Sequence, residues 1–323
     1  MSSSAPAVPY RRARARVSSR PGIRRRVWLD LRRNAVVYLM LAPVVAYYLI
    51  FHYAPMYGAI IAFEDFSPAQ GILRSPWIGL ENFQEFFGSV YVVRLLRNTL
   101  AINVLDIIFG FPAPIILALL LNELTSTRFK RMVQTITYLP HFMSLVVVVG
   151  IMIDFLARDG LINSLLGAVG MQATGFMQDA NWYWTLYVGS SIWQAVGWGS
   201  IIYLAAIANV DPTLYEAAVV DGANRWRQML HVTLPGIMPM VITLLILRIG
   251  MMMSVGYEKT ILMYNPSTYD TADVISSYVY RKGVLGMDYG FSAAVGLFNS
   301  GINFALLIVA NRLSRRTNQT SLW

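Results

Sequence analysis

This sequence predicts an all-α membrane protein with six transmembrane helices, and three observations carry that expectation. Hydrophobic residues make up 56% of the 323 and charged residues only 13%, about half the share a soluble domain carries. Apolar runs of roughly 20 residues, the length that crosses a bilayer core, recur along the chain. Basic residues gather in alternate connecting segments, as they do where those segments face the cytoplasm. Cysteine is absent, which excludes a disulfide framework and a cysteine-based metal site.

Residues 1–34 form a basic N-terminal tail with ten arginines and one acid, Asp30. The net charge of +9 invites a nucleic-acid partner, but a basic block directly before an apolar run points to anionic lipid headgroups instead. No small-residue cleavage site separates the tail from the first span, so no cleavable signal peptide is expected.

Six spans follow, at 35–54, 98–122, 133–157, 183–210, 237–257 and 291–311. The first, fourth and sixth contain no Asp, Glu, Lys or Arg; the second carries Asp106, the third Asp154 and the fifth Arg248. An even number of spans puts both termini on one side. Placing them inside gives the inner segments 18 Lys and Arg and the outer segments 7, which favours cytoplasmic termini. The layout is then a tail at 1–34, a six-helix domain at 35–311 and a cytoplasmic tail at 312–323. Trp77, Trp182, Tyr183 and Trp184 fall near the expected interfaces, where aromatic rings form a belt.

The inner segment 211–236 is the most patterned part of the chain. Asp211-Pro212 is a helix start, Asp capping free amides and Pro fitting the first turn. Helix-compatible residues run to Val220, and Gly222 allows a turn that a side chain would obstruct. A second helical piece is expected from Arg225 to Leu234, with Trp226, Met229, Leu230 and Thr233 on one face and Pro235 limiting its continuation. The product is a helix–turn–helix at the membrane surface. Ala217 and Ala218 permit close approach by a partner, and Glu216 offers it a carboxylate.

Glu216-Ala217-Ala218, three residues, Gly222, nine residues, Val232 and then Leu234-Pro235 resemble the EAA loop of binding-protein-dependent ABC importer permeases. The one departure is Val232, where that family has Ile. Residues 62–83 (AFEDFSPAQGILRSPWIGLENF), 159–167 (DGLINSLLG) and 289–316 (YGFSAAVGLFNSGINFALLIVANRLSRR) resemble its carbohydrate-uptake branch, especially oligosaccharide permeases, alginate importers among them. The resemblance implies a type I importer fold in a bacterial inner membrane. It implies as partners a second permease subunit in a heterodimer, two ATP-binding subunits and a periplasmic solute-binding protein. Glu216, Ala217, Ala218, Asp221, Gly222, Leu234 and Pro235 would then couple to the ATPase.

The chain itself has no Gly-Lys-Ser/Thr phosphate loop, so ATP and Mg are expected on the partner subunits and no cofactor here. The three histidines, His52, His141 and His231, lack metal-ligand spacing. A charge at membrane depth commonly faces a cavity or a partner. Arg248 is therefore either a cavity cation for polar or anionic sugar groups, or half of a buried pair with Asp106 or Asp154. Sugars present apolar ring faces and hydroxyls, so Trp193, Gln194, Trp198 and Tyr203, with Tyr257, Asn299 and Asn303, are further pathway candidates. A channel or ion-coupled transporter subunit, and a membrane-embedded transferase, are the competing classes. The first leaves 211–235 unexplained, and the second lacks clustered acids or histidines.

Overall fold

The structure is a computed structural model that describes residue 28 and residues 30–316. The chain divides into two compact units, Met1–Gly58 and Ala59–Trp323. In the first, Asp30 accepts hydrogen bonds from Asn34 Nδ2 at 2.7 Å and Tyr38 Oη at 2.6 Å. Helix α1, Ala35–Phe63, begins there.

The second unit is helical, and among the described residues extended pairing is confined to one bridge between Glu64 and Trp77. A short α2, Glu81–Gly88, precedes α3, Val92–Glu123. Then come α4, Thr127–Phe142, α5, Leu145–Leu156, and α6, Leu161–Ala168. The long α7, Ala180–Ile207, leads to the surface helix α8, Pro212–Val220. Helix α9, Arg225–Ile249, is followed by α10, Tyr257–Met263, α11, Ile275–Val279, and α12, Tyr289–Arg316. Helices α1, α3, α7, α9 and α12 are each long and apolar enough to cross a bilayer.

The expected third span, 133–157, is not one helix. It is α4 followed by the stretch Leu145–Ala168 that begins with α5, the two bent by 104°. Leu139–Phe142 tightens into a 3₁₀ turn around Pro140, Met143 turns extended, and Ser144 Oγ caps α5 by accepting the Val147 amide at 3.4 Å. The break exposes a backbone carbonyl that lipid could not satisfy. Gln194 Nε2 of α7 donates to that Met143 oxygen at 3.2 Å.

The expected fifth span, 237–257, also ends early. Helix α9 stops at Ile249, and Gly250–Gly256 runs as turns and loop. Asn303 of α12 supports this stretch, accepting the Met253 amide at 2.8 Å and donating to Ser254 Oγ at 3.0 Å.

Small residues let the helices approach, as expected in lipid. Gly197 of α7 lies against the backbone of Thr137, and Gly199 against Pro114. Aliphatic layers fill the rest, including Ile115, Leu119, Ile207 and Ile237 between α3, α7 and α9. Phe86, Leu95, Phe291 and Val295 fill the space between α2, α3 and α12. An ionic cluster fastens the 264–281 segment to α3. Asp273, fully buried, accepts Arg281 at 2.7 Å and Arg94 at 3.2 Å. Asn98 Nδ2 donates to the Asp270 and Asp273 carbonyls at 2.9 and 2.8 Å.

Candidate coupling segment and membrane cavity

The segment 211–236 folds as two helical arms around a glycine. Asp211 Oδ1 accepts the Thr213 amide at 2.9 Å, and this bond holds its carboxyl below the usual carboxylate range. Helix α8 closes at Gly222, whose φ of +76° lies in the left-handed region that favours glycine. The Ala223 amide reaches back to the Ala218 carbonyl at 2.9 Å, the wrapped closure common where a helix ends on glycine. Asn224 Oδ1 then caps α9 by accepting the Arg227 amide at 3.0 Å.

Pro235 does not end the second arm. Helix α9 runs through it, because Met229–Thr233 forms one wide turn just before it. The face expected to hold Trp226, Met229, Leu230 and Thr233 is divided as well: Met229 and Thr233 are buried, while Trp226 and Leu230 are exposed. Thr233 Oγ1 lies 2.9 Å from Tyr215 Oη, which ties the two arms together.

Between the arms opens a cavity of about 630 Å³ lined by Ala217, Ala218, Asp221, Arg227, Val232 and Pro235, among others. Glu216, Ala217, Asp221, Gly222 and Pro235 are exposed, Ala218 is half-buried, and Leu234 packs partly into the layer beneath. Leu214, Val219, Val220 and Trp226 add exposed apolar surface beside them. Contiguous exposed apolar surface of this kind marks an interaction site.

A second site lies at membrane depth where α3, α7 and α9 meet. A cavity of about 180 Å³ is lined by Asn103, Asp106, Tyr187, Ser191, Arg248 and Ser254, among others. Asp106 opens a wide turn, Asp106–Gly110, and its carboxylate lies over Gly110, where a β-carbon would collide with it. Arg248 donates from Nε to Asp106 Oδ2 at 2.9 Å and from Nη2 to the same oxygen. Of the two acids that could partner Arg248, Asp106 is the one it meets. The Arg248 side chain stays 44% exposed and the Asp106 side chain 16%, and both line the cavity, so Arg248 is both paired and open to it.

The other pathway candidates do not gather around this cavity. Trp193 sits in an apolar groove with Val148, Met152 and Phe155. Gln194 serves the Met143 carbonyl, and Trp198 stacks on His141 with ring centroids 4.7 Å apart. Tyr203 is buried among Ile115, Leu119 and Ile237. Tyr257 stacks on Tyr280 at 5.1 Å. Asn303 holds the loop after α9, and the buried Oδ1 of Asn299 has no hydrogen-bond partner.

Sequence reasoning missed Lys259, which the hydropathy pattern placed in an outer segment. Its ammonium is buried, donating to the Tyr187 carbonyl at 2.8 Å and Ser191 Oγ at 2.6 Å. It also lies 4.5 Å from the Tyr187 ring centroid. Burial pushes this ammonium down to about 7, partly offset by the Asp106 carboxylate.

Residues 110–319 match the family model described as the binding-protein-dependent transport system inner membrane component. The chain is 45% identical over 294 residues to the protein LplB of Bacillus subtilis (strain 168), covering 91% of this chain and 92% of that one. It is 42% identical over 301 residues to the polygalacturonan/rhamnogalacturonan transport system permease protein YteP of the same organism, covering 93% and 94%. Among solved structures it resembles a chain of a bacterial ABC transporter involved in import of the acidic polysaccharide alginate. That match has a TM-score of 0.83 and 42% identity, over 90% of this chain and 99% of the other. A chain of a bacterial alginate ABC transporter in complex with an alginate-pentasaccharide-bound periplasmic protein gives a TM-score of 0.85 and 41% identity, over 92% and 100%. This chain therefore belongs to the binding-protein-dependent transport family, as a multi-pass integral membrane permease subunit of an ABC importer.

Proposed function

We propose that this chain forms half of the translocation pathway of an ATP-driven importer whose cargo is an acidic oligosaccharide. The observation that carries the reading is the segment 211–236. It is an exposed helix–glycine–helix with an acidic, small-residue surface on one arm, and it fits a groove on an ATP-binding subunit. A chain with one such segment engages one ATPase. A second permease with a segment of its own completes a heterodimer over two ATP-binding subunits. The named cargoes of YteP and of the alginate transporters are acidic polysaccharides, and Arg248 in a cavity at membrane depth suits such a cargo.

ATP and Mg belong to the partner subunits, since this chain has no phosphate-binding loop. Both termini face the cytoplasm of a bacterial inner membrane. The tails 1–34 and 312–323 flank the six-span domain 35–311, with α4 and α5 together serving as one bent span. Closure of the ATPases pushes on 211–236, swings the helix bundles and opens the cavity outward. The periplasmic binding protein then releases the oligosaccharide, which leaves inward after hydrolysis.

The test is reconstitution with candidate partner subunits in liposomes, measuring ATPase activity with binding protein and a panel of neutral and uronate oligosaccharides. Stimulation by uronate oligomers, lost in Glu216→Lys, is expected. Failure to assemble with any ATP-binding subunit would sink the reading and leave a channel or transferase role to be tried.

A further inference from the structure

Resting on that reading, we propose that the cavity between α3, α7 and α9 is a carboxylate subsite. In it Asp106 is the resident counter-ion of Arg248, a uronosyl carboxylate of the cargo competes with Asp106, and Lys259 supplies a second positive charge from behind the wall.

Three observations carry this. Arg248 spends both of its bonds to Asp106 on one oxygen, Oδ2. A guanidinium has five N–H groups in a planar fork, so the edge that faces the cavity is left to receive another acceptor. Asp106 is built in place rather than left to choose a rotamer, since the wide turn and the bare Gly110 make room for its carboxylate.

Lys259 is the third observation. It is 6% exposed, yet both of its hydrogen-bond acceptors are neutral, and both belong to residues lining the cavity. A tether between α10 and α7 needs no charge there, and a buried ammonium without a carboxylate partner is costly. The charged groups around it are few. Asp106 comes from α3 and Arg248 from α9, and Glu258 on its own helix approaches Gly256 but is solvent-exposed. Arg248 and, while it is protonated, Lys259 thus stand against one shielded carboxylate. An arriving carboxylate completes the site, and Asp106 keeps it from being held too tightly to leave.

The experiment uses the full complex in proteoliposomes with its binding protein. It compares a uronate oligosaccharide with its carboxyl-reduced neutral counterpart, reading turnover and apparent KM. Asp106→Asn should lower the apparent KM for the uronate by about tenfold and slow its turnover, because release becomes harder. Lys259→Met should raise that KM by about tenfold, and Lys259→Arg should restore it. In each variant the KM for the uronate should shift at least about fivefold more than that for the neutral oligomer. Opposite shifts that are larger for the acidic cargo support the subsite, since structural damage lowers both cargoes together. Equal effects on both, or a weakened uronate in Asp106→Asn, would overturn it. If Lys259→Met fails to assemble on size exclusion, the sign of the Asp106→Asn shift decides alone. A wild-type complex that takes up no uronate removes the functional reading itself, which is a separate outcome.

Discussion

The segment 211–236 and the membrane cavity are held together in opposite ways. In the segment nearly every bond is local: Asp211 caps two residues ahead, Asn224 three, and Ala223 reaches back five to Ala218. Its widest internal tie, Tyr215 to Thr233, spans 18 residues, and one bond leaves it, from Arg225 Nη1 to the Glu123 carbonyl at 3.4 Å. In the cavity the decisive bond joins residues 142 apart, on helices α3 and α9. A locally bonded piece can be pushed and travel as a unit. A site closed by distant helices changes shape whenever those helices shift. The first arrangement suits receiving force, and the second suits turning it into a change of access.

Variants can break or sharpen that contrast, and the largest effect belongs to the segment. Gly222→Asp puts a side chain at a φ of +76° and a charge on the docking surface. Uptake should fall by about a hundredfold or more while size exclusion still shows folded protein, the size of loss that removing a positioned contact brings. Normal uptake would refute the coupling role.

Next comes Asp273→Ala, which leaves Arg94 and Arg281 without their buried partner. Thermal unfolding in detergent should show a loss of about 3–5 kcal/mol. A loss below about 1 kcal/mol would mean that the cluster is well solvated. Asn303→Leu removes the acceptor for the Met253 amide. We expect about 1–3 kcal/mol and faster hydrogen exchange confined to 250–256, whereas exchange spread over all of α12 would argue against a local role.

A smaller effect is the pH response of Lys259, held near 7 by burial. Its charge is lost as pH rises through that value, so uronate uptake should decline by a few-fold between about pH 6 and 8 if the charge aids binding. Stability moves the other way. The unfolded lysine keeps its proton to about 10.4, so between 7 and 10 the unfolded state binds more protons and stability rises with pH. A flat uptake profile in wild type, identical to that of Lys259→Met, would remove the lysine from the pathway.

What could be read from the sequence follows the same division. The caps at Asp211, the turn at Gly222 and the long apolar runs are local signals, and hydropathy and turn chemistry find them. The bend at Met143–Ser144 follows Pro140, a breaker that the apolar run around it outweighed, and its carbonyl is satisfied by Gln194, 51 residues away. The early end of α9 is equally hidden, because Gly250–Gly256 is itself apolar and its support comes from α12. Pro235 misled for a related reason. The wide turn at Met229–Thr233 lets the helix pass through a residue that ordinarily limits it. Asp106 and Arg248 were each visible as a charge in a span, but two acids could have met that arginine, and only the packing chose between them. Lys259 was hidden because a lysine just past a span reads as solvated.

The ion pair between α3 and α9 also bears on how the chain is made. A ribosome delivers α3 to the membrane long before α9 exists. A carboxylate at the centre of an inserting helix costs about 3 kcal/mol on the translocon scale. Until 142 further residues have been synthesised, Asp106 has no arginine to meet. Helix α3 must wait in the insertion machinery or lodge near the headgroups. Its settling into place is tied to the arrival of α9, so the ion pair that lines the cavity would also set the order of assembly.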